Sequence, residues 1–235
     1  MSRRPSRAEP GRAAKRDVRG RRAISRVQLG AVAVVAVVAV LGLVWLGNAS
    51  SSAPTSSLPP SVVQSGHTLG QASAPVTIEE WADFQCPACG QFARVTEPRL
   101  LTSYVAQGQV KLVVHHFAFL GLESNWAAEA AECAGEQGKF FEYHDRLYAS
   151  QAGENRGAFS KDNLKKIGND LGLGPAFAAC VDSGRYAQAV RDDTKAGRDR
   201  GVQATPTLFV NGRKIEGAAS FDQLKAIIDP ILAGR

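Results

Sequence analysis

Two cysteines separated by two residues, Cys86-Pro87-Ala88-Cys89, are the side chains in this sequence best spaced for chemistry. They follow residues 75–83 (PVTIEEWAD), which read as a strand, and they open a stretch that reads as a helix to about residue 107. Two thiols at that spacing on a first helical turn can close a small disulfide. The upstream sulfur falls among backbone amides that no helical carbonyl uses, where a thiolate is stabilised. This is equipment for thiol-disulfide exchange, with Cys86 as the nucleophile and Cys89, one turn further in, as the resolving thiol. Pro87 suits an early helical position because it lacks only an amide hydrogen that the helix does not use. Half of a zinc site is the other chemistry open to such a pair. It needs two more ligands, and Cys133 and Cys180 are not spaced as a second pair of this kind, so no metal is expected.

The elements that must position these thiols follow in order. The first helix should kink near Pro98, and residues 110–117 (VKLVVHHF) form a second strand, which makes β-α-β. Residues 124–200 switch to helical periodicity, with Trp126, Ala130, Cys133 and Ala134 on one stripe. Thr207–Val210, the turn pair Asn211-Gly212 and residues 214–216 make a hairpin, and Ser220 caps a final helix. Glu79 and Glu80, adjacent on the first strand, must point to opposite faces, so one of them at most faces the core. Trp81, Phe84 and Phe92 surround the dithiol in sequence, either as an apolar platform for unfolded substrates or as core. His115, His116 and His144 read as packed, hydrogen-bonded histidines and receive no catalytic role.

This order, with the phrases VTIEEWADFQCPACGQF, AAECAGEQGKFFEYHDRLY and GVQATPTLFVNG at consistent spacing, resembles the DsbA-like thiol:disulfide oxidoreductases. The fold class it implies is α/β, a thioredoxin fold over residues 66–235 carrying a helical insertion at about 122–200. The resemblance further implies a cis bond at Thr205-Pro206 beside the dithiol, with the Thr205 main chain offered to a substrate and Pro206 shielding the thiols. It makes Glu80 a buried acid that assists proton movement at the resolving thiol. In the best-known members a lysine accompanies that acid; Val114 stands in its place here. Cys133 and Cys180, both in the helical block, read as a structural disulfide, with a second redox pair or two free thiols as the other possibilities. No cofactor is expected. The partners implied are newly exported cysteine-containing proteins and a membrane oxidase of the DsbB or VKOR type. The rivals are a reductase or isomerase running on a transmembrane electron donor, and a chaperone or binding module without turnover. The soluble part is expected to be a monomer.

Charge and hydropathy set the expected compartment. Residues 1–28 carry ten Lys or Arg against Glu9 and Asp17, a net +8, which leaves the rest of the chain at −2 within the overall +6. The basic pI belongs to this tail, so the folded part lacks the positive surface that nucleic-acid binding requires. Residues 29–47 run nineteen positions without a charge, about 28 Å as a helix, enough for one membrane pass. The arginines before it place the N-terminus in the cytoplasm and the remainder outside. A cleaved secretory signal and, through Arg21-Arg22, a twin-arginine export signal are the alternatives. Residues 48–65, rich in Ser and Pro and uncharged, read as a tether.

Overall fold

The computed structural model describes residues 58–234. The basic tail 1–28, the membrane helix expected over 29–47 and the tether as far as residue 57 lie outside the described residues. Among the described residues no helix is long and apolar enough to cross a membrane.

The strands are β1 (Gln64–Ser65), β2 (Thr68–Leu69), β3 (Val76–Ala82), β4 (Val110–His116), β5 (Thr207–Val210) and β6 (Arg213–Glu216). They lie in one sheet in the order β1-β2-β4-β3-β5-β6. Only the central pair, β3 and β4, is parallel, and a parallel pair needs a crossover. That crossover is α1, residues 87–105. Along β3 the two-residue period puts Val76, Ile78 and Glu80 on one face, all at 0 % exposure. The register sets Glu80 beside Val114 on one side and Leu208 on the other.

The kink expected at Pro98 is replaced by something more distributed. α1 alternates α turns (Pro87–Gln91, Glu97–Leu100) with π turns (Phe92–Thr96, Leu101–Val105). The Glu97 N–H reaches back five residues to the Phe92 carbonyl, which widens the turn ahead of the proline ring. Such a ring would otherwise press on the carbonyl four residues back. The extra residue per turn brings both Thr96 and Glu97 to the buried side, while Pro98 and Arg99 stay exposed.

Between β4 and β5 lie α2 (Leu122–Gly135), α3 (Phe140–Ala149), α4 (Lys161–Asp170), α5 (Gly174–Ser183) and α6 (Ala187–Asp199). This is the insertion expected at about 122–200. A disulfide joins Cys133 of α2 to Cys180 of α5, with Cα atoms 5.8 Å apart. The buried Glu123 carboxylate accepts hydrogen bonds from the Gly157 and Phe159 amides at 2.7 and 2.8 Å, which closes the loop between α3 and α4. The main core is continuous from sheet to insertion: Ile78, Leu112 and Leu208 join Phe92 and Leu100 of α1, and Phe140 and Phe177 of the insertion. α6 covers the opposite face, over Trp81, Phe117, Val202 and Phe209. Its Gly197 admits this approach, since a Cβ there would fall 2.6 Å from the Trp81 ring.

In the final hairpin Asn211 and Gly212 take φ of +47° and +86°, as a two-residue turn that follows the strand twist requires. The last helix, α7 (Phe221–Ala233), starts with a capping box between Ser220 and Gln223.

The folded domain begins earlier than residue 66. Gln64 and Ser65 pair with Leu69 and Thr68, Gly70 N–H donates to the Val63 carbonyl at 2.8 Å, and Leu58 and Val62 pack on the core. The sheet edge offers backbone partners that Ser/Pro composition does not reveal. Next to it, Glu132 of α2 meets His67 at 3.0 Å and His116 at 2.8 Å, tying this edge to the insertion.

Candidate active site

The chain leaves β3 at Ala82 and turns over Asp83-Phe84-Gln85 before α1 begins. Asp83, 1 % exposed, organises this turn. Its Oδ1 accepts from the Gln85 amide (2.8 Å) and the Ser124 hydroxyl (2.6 Å), and its Oδ2 from the Phe119 and Leu120 amides (2.9 and 3.1 Å). The insertion supplies further braces. Gln151 Nε2 donates to the carbonyls of Phe84 (2.8 Å) and Cys86 (2.9 Å), and the Asn155 amide donates to Gln85 Oε1 at 2.6 Å. Nothing in the sequence placed Asp83, Gln85, Gln151 or Asn155 in the site. The only signal was a cluster of polar residues ahead of the first cysteine.

Cys86 occupies the N-cap of α1 in an extended conformation, with Pro87 in the first turn. Both thiols are free. The Thr205-Pro206 bond is cis, and the Cys86 thiol donates to the Thr205 carbonyl at 3.3 Å. The Thr205 hydroxyl is buried with no other partner, and it is available to donate once the sulfur ionises. The Cys86 pKa is drawn down to about 6, chiefly by a hydrogen bond from the Cys89 thiol, against burial that pushes it up. Thr205 and the backbone amides of Cys89 and Ala88, at the helix N-terminus, lower it further. Cys89, fully buried, is pushed well above the ordinary thiol range by burial and by Cys86. The two sulfurs are therefore divided into a ready thiolate and a held proton.

Glu80 is the acid that faces the core; Glu79 faces the other way and pairs with Arg200 at 2.6 and 2.9 Å. Neither Glu80 oxygen has a hydrogen-bond partner. Burial, with the Cys86 charge behind it, pushes its pKa up to about 8. With Val114 and Leu208 as its strand neighbours, no lysine offsets this. Another buried carboxyl has its pKa raised like that of Glu80: Glu97 of α1 is 3 % exposed, and burial pushes it up to about 8.

Of the two readings of the aromatic residues around the dithiol, platform or core, the structure supports core. Trp81, Phe84 and Phe92 are all interior, at 2 %, 4 % and 0 % exposure. Trp81 stacks on His115 at 4.3 Å, on the face away from the main core. Exposed large apolar side chains near the site are instead Phe119, whose own amide Asp83 holds, and Leu122, two residues beyond the second held amide. Among the described residues, two groups of side chains have ligand atoms close enough to share a cation, within 4.8 Å of one another: His67, His116 and Glu132, and Glu97, His144 and Asp145. In the first, hydrogen bonds from both imidazoles outweigh burial and hold the Glu132 carboxyl down at about 2, so the set is already matched internally.

A sheet with one parallel central pair, a dithiol at the first helix N-terminus and a cis-proline strand beside it define a thioredoxin-type dithiol protein. Comparison with known proteins agrees. The thioredoxin family model matches residues 63–230. The "Probable disulfide bond formation protein D" of Bacillus anthracis is 31% identical over 172 residues, covering 69% of this chain and 76% of that protein. The oxidised BdbD structure from Bacillus subtilis superimposes with a TM-score of 0.67 at 26% identity, covering 72% of this chain and 94% of that one. A relative named "Na(+)/H(+) antiporter NhaA 1", from Salinispora arenicola, is 36% identical over 72% of this chain, which spans only 25% of its length. The chain belongs to the thioredoxin family, among the DsbA-like thiol:disulfide oxidoreductases.

Proposed function

We propose that the protein introduces disulfides into exported proteins, from a domain held outside the cytoplasm by the apolar segment 29–47 and resupplied by a DsbB- or VKOR-type membrane oxidase. The observation that carries this direction is the placement of Cys86 at the N-cap of α1, 3.3 Å from the Thr205 carbonyl next to the cis-proline. There its pKa is drawn down to about 6, which favours the thiolate at pH 7. Whatever stabilises the reduced form makes the disulfide a stronger oxidant.

A client thiolate attacks Cys86 Sγ of the Cys86–Cys89 disulfide. A client-to-Cys86 mixed disulfide forms, and the Cys86–Cys89 bond breaks with its electron pair on Cys89, which takes a proton. A second client thiolate then attacks the client sulfur of the mixed disulfide, and Cys86 departs as the stable thiolate. The client has lost two electrons and the protein has gained them. Thr205, beside the nucleophile, offers main-chain groups to an extended client strand. Phe119 and Leu122 supply an apolar edge for unfolded chain.

The test is oxidation of a reduced two-cysteine peptide by the oxidised protein. Cys86→Ser should abolish it, and reduced Cys89→Ser mixed with the disulfide form of the peptide should accumulate a peptide joined through Cys86, because no second thiol of the protein is left to release it. Full peptide oxidation by the Cys86→Ser variant would rule out the reading.

A further inference from the structure

Proton supply to Cys89 raises a question that Glu80 alone does not answer. When Cys89 leaves as a thiolate it takes a proton, and Glu80 is the neutral acid on the sheet beneath it. Glu80 is at 0 % exposure with both oxygens unpartnered, so once it gives up the proton it becomes a buried, unpaired carboxylate. Such a group is costly to keep and must be reprotonated from somewhere.

Among the described residues, a line of buried polar groups leads outward from the region of Glu80. Glu97 lies on the buried side of α1, close enough to Glu80 for its charge to act on it, and its Oε2 is unpartnered. His144 of α3 is at 0 % exposure, also with an unpartnered ring nitrogen, Nε2. Its other ring nitrogen, Nδ1, meets Asp145 Oδ1 at 3.0 Å. Ligand atoms of Glu97, His144 and Asp145 lie within 4.8 Å of one another, a span that one bridging water closes. The His144 ring also lies 5.7 Å from the Phe84 ring, two residues before Cys86, which places it beside the dithiol turn. At the outer end Asp145 is 32% exposed on its side chain. It lines a cleft of about 220 Å³ with Ala93, Arg94, Pro98 and Tyr148.

We propose that Glu97, His144 and Asp145 form a proton path through which Glu80, the acid serving Cys89, exchanges protons with water in the cleft beside Asp145. The path moves protons only. As Cys89 leaves, Glu80 gives it a proton and regains one from Glu97, which is refilled through His144 and Asp145; on reoxidation each transfer reverses.

The charged and titratable groups facing this path are few. β3 and its turn contribute Glu80 and Asp83, α1 contributes Cys86, Cys89, Arg94 and Glu97, and α3 contributes His144, Asp145 and Tyr148. The flanking strands present Val114 and Leu208 to Glu80, which do not titrate. Burial raises Glu97; burial pulls His144 down, and Asp145 and Glu97 more than offset it.

This inference rests on the dithiol chemistry proposed above, but its test does not need a client. Reduction of the Cys86–Cys89 disulfide by dithiothreitol, followed in the full chain from pH 5 to 9, reads the departure of Cys89 directly. Glu97→Gln should slow it about tenfold or more at pH 7 and displace its pH profile, whereas Glu97→Asp should restore most of the rate. Alkylation of reduced Cys86 by iodoacetamide should stay within about twofold of wild type in both. Asp145→Asn, at the exposed end, should show an intermediate slowing and needs no buried substitution. Unchanged reduction rates and pH profile in Glu97→Gln and Asp145→Asn would overturn the proposal. So would a fall in Cys86 alkylation parallel to the fall in reduction, which would mark a structural role. Failure to oxidise clients with this dependence intact would count against the functional reading alone.

Discussion

The Cys86 sulfur lies 3.3 Å from the carbonyl oxygen of Thr205, a residue 119 positions further along the chain. That contact joins the helix that activates the thiolate to the strand that would present a client, and the same residue turns its otherwise unpartnered hydroxyl to the site. Thr205→Val keeps the shape and the carbonyl but removes this donor. One hydrogen bond to a charged group corresponds to about one pH unit or more. The Cys86 pKa, read from thiolate absorbance at 240 nm, should therefore rise from about 6 by about one unit. An unchanged titration would remove Thr205 from the stabilising set.

The buried acid should write itself into the pH dependence of stability. Burial raises Glu80 from 4.5 to about 8, so between those values the folded state holds a proton that the unfolded chain has lost. Stability is then full below about pH 4.5 and declines as pH rises toward 8, by up to about 1.4 kcal/mol per pH unit for one group. Cys86 acts with the opposite sign. Its folded pKa lies below the unfolded value of 9.0, so its contribution is present above pH 9 and is lost as pH falls through 6. Urea unfolding should show the decline in the oxidised protein, where Cys86 neither titrates nor adds its charge to Glu80, and Glu80→Gln should reduce the slope, leaving the part that the buried Glu97 contributes. A slope identical in wild type and Glu80→Gln would mean that Glu80 is not held neutral.

Removing the disulfide in the insertion should separate stability from chemistry. The Cys133–Cys180 bridge closes a loop of 47 residues, for which chain entropy predicts about 4 kcal/mol at most, commonly 2 to 4. A Cys133→Ala/Cys180→Ala variant should lose that much in urea unfolding and retain the Cys86 titration. Loss of peptide oxidation in a folded double variant would reassign the pair to the redox chemistry.

Gln151 should matter out of proportion to its place in a loop. Its amide holds the carbonyls of Phe84 and Cys86, and a Cβ on Gly90 would fall 2.2 Å from its Oε1, so glycine is what lets the loop seat against α1. Gln151→Ala leaves two carbonyls without this donor and should cost about 1 to 3 kcal/mol in urea unfolding. A cost below about 0.5 kcal/mol would show that water replaces it fully.

Much of this arrangement was legible in the sequence because it is local. The alternation in β3 assigned Glu79 and Glu80 to opposite faces, Asn211-Gly212 announced a hairpin, and Cys86-Pro87-Ala88-Cys89 carried its chemistry in four residues. What stayed hidden depends on partners far apart in the chain. The π turns of α1 are what bury Glu97, and helical periodicity does not show them. Gln151 and Asn155 reach the dithiol turn across 65 to 70 residues. Trp81, Phe84 and Phe92 have the composition of a platform, and only the packing of α6 and α3 over them makes them core. Gln64 and Ser65 became strand because a sheet edge was there to receive them.

The central claim is that Cys86–Cys89 donates a disulfide, and its reduction potential, measured in the full chain by equilibration with glutathione, tests it most directly. A stabilised Cys86 thiolate beside a neutral Glu80 predicts a value between about −180 and −120 mV, where the dithiol form is favoured. A value of about −270 mV or lower would contradict the account, because the protein would then hold its own disulfide more tightly than it could pass it on.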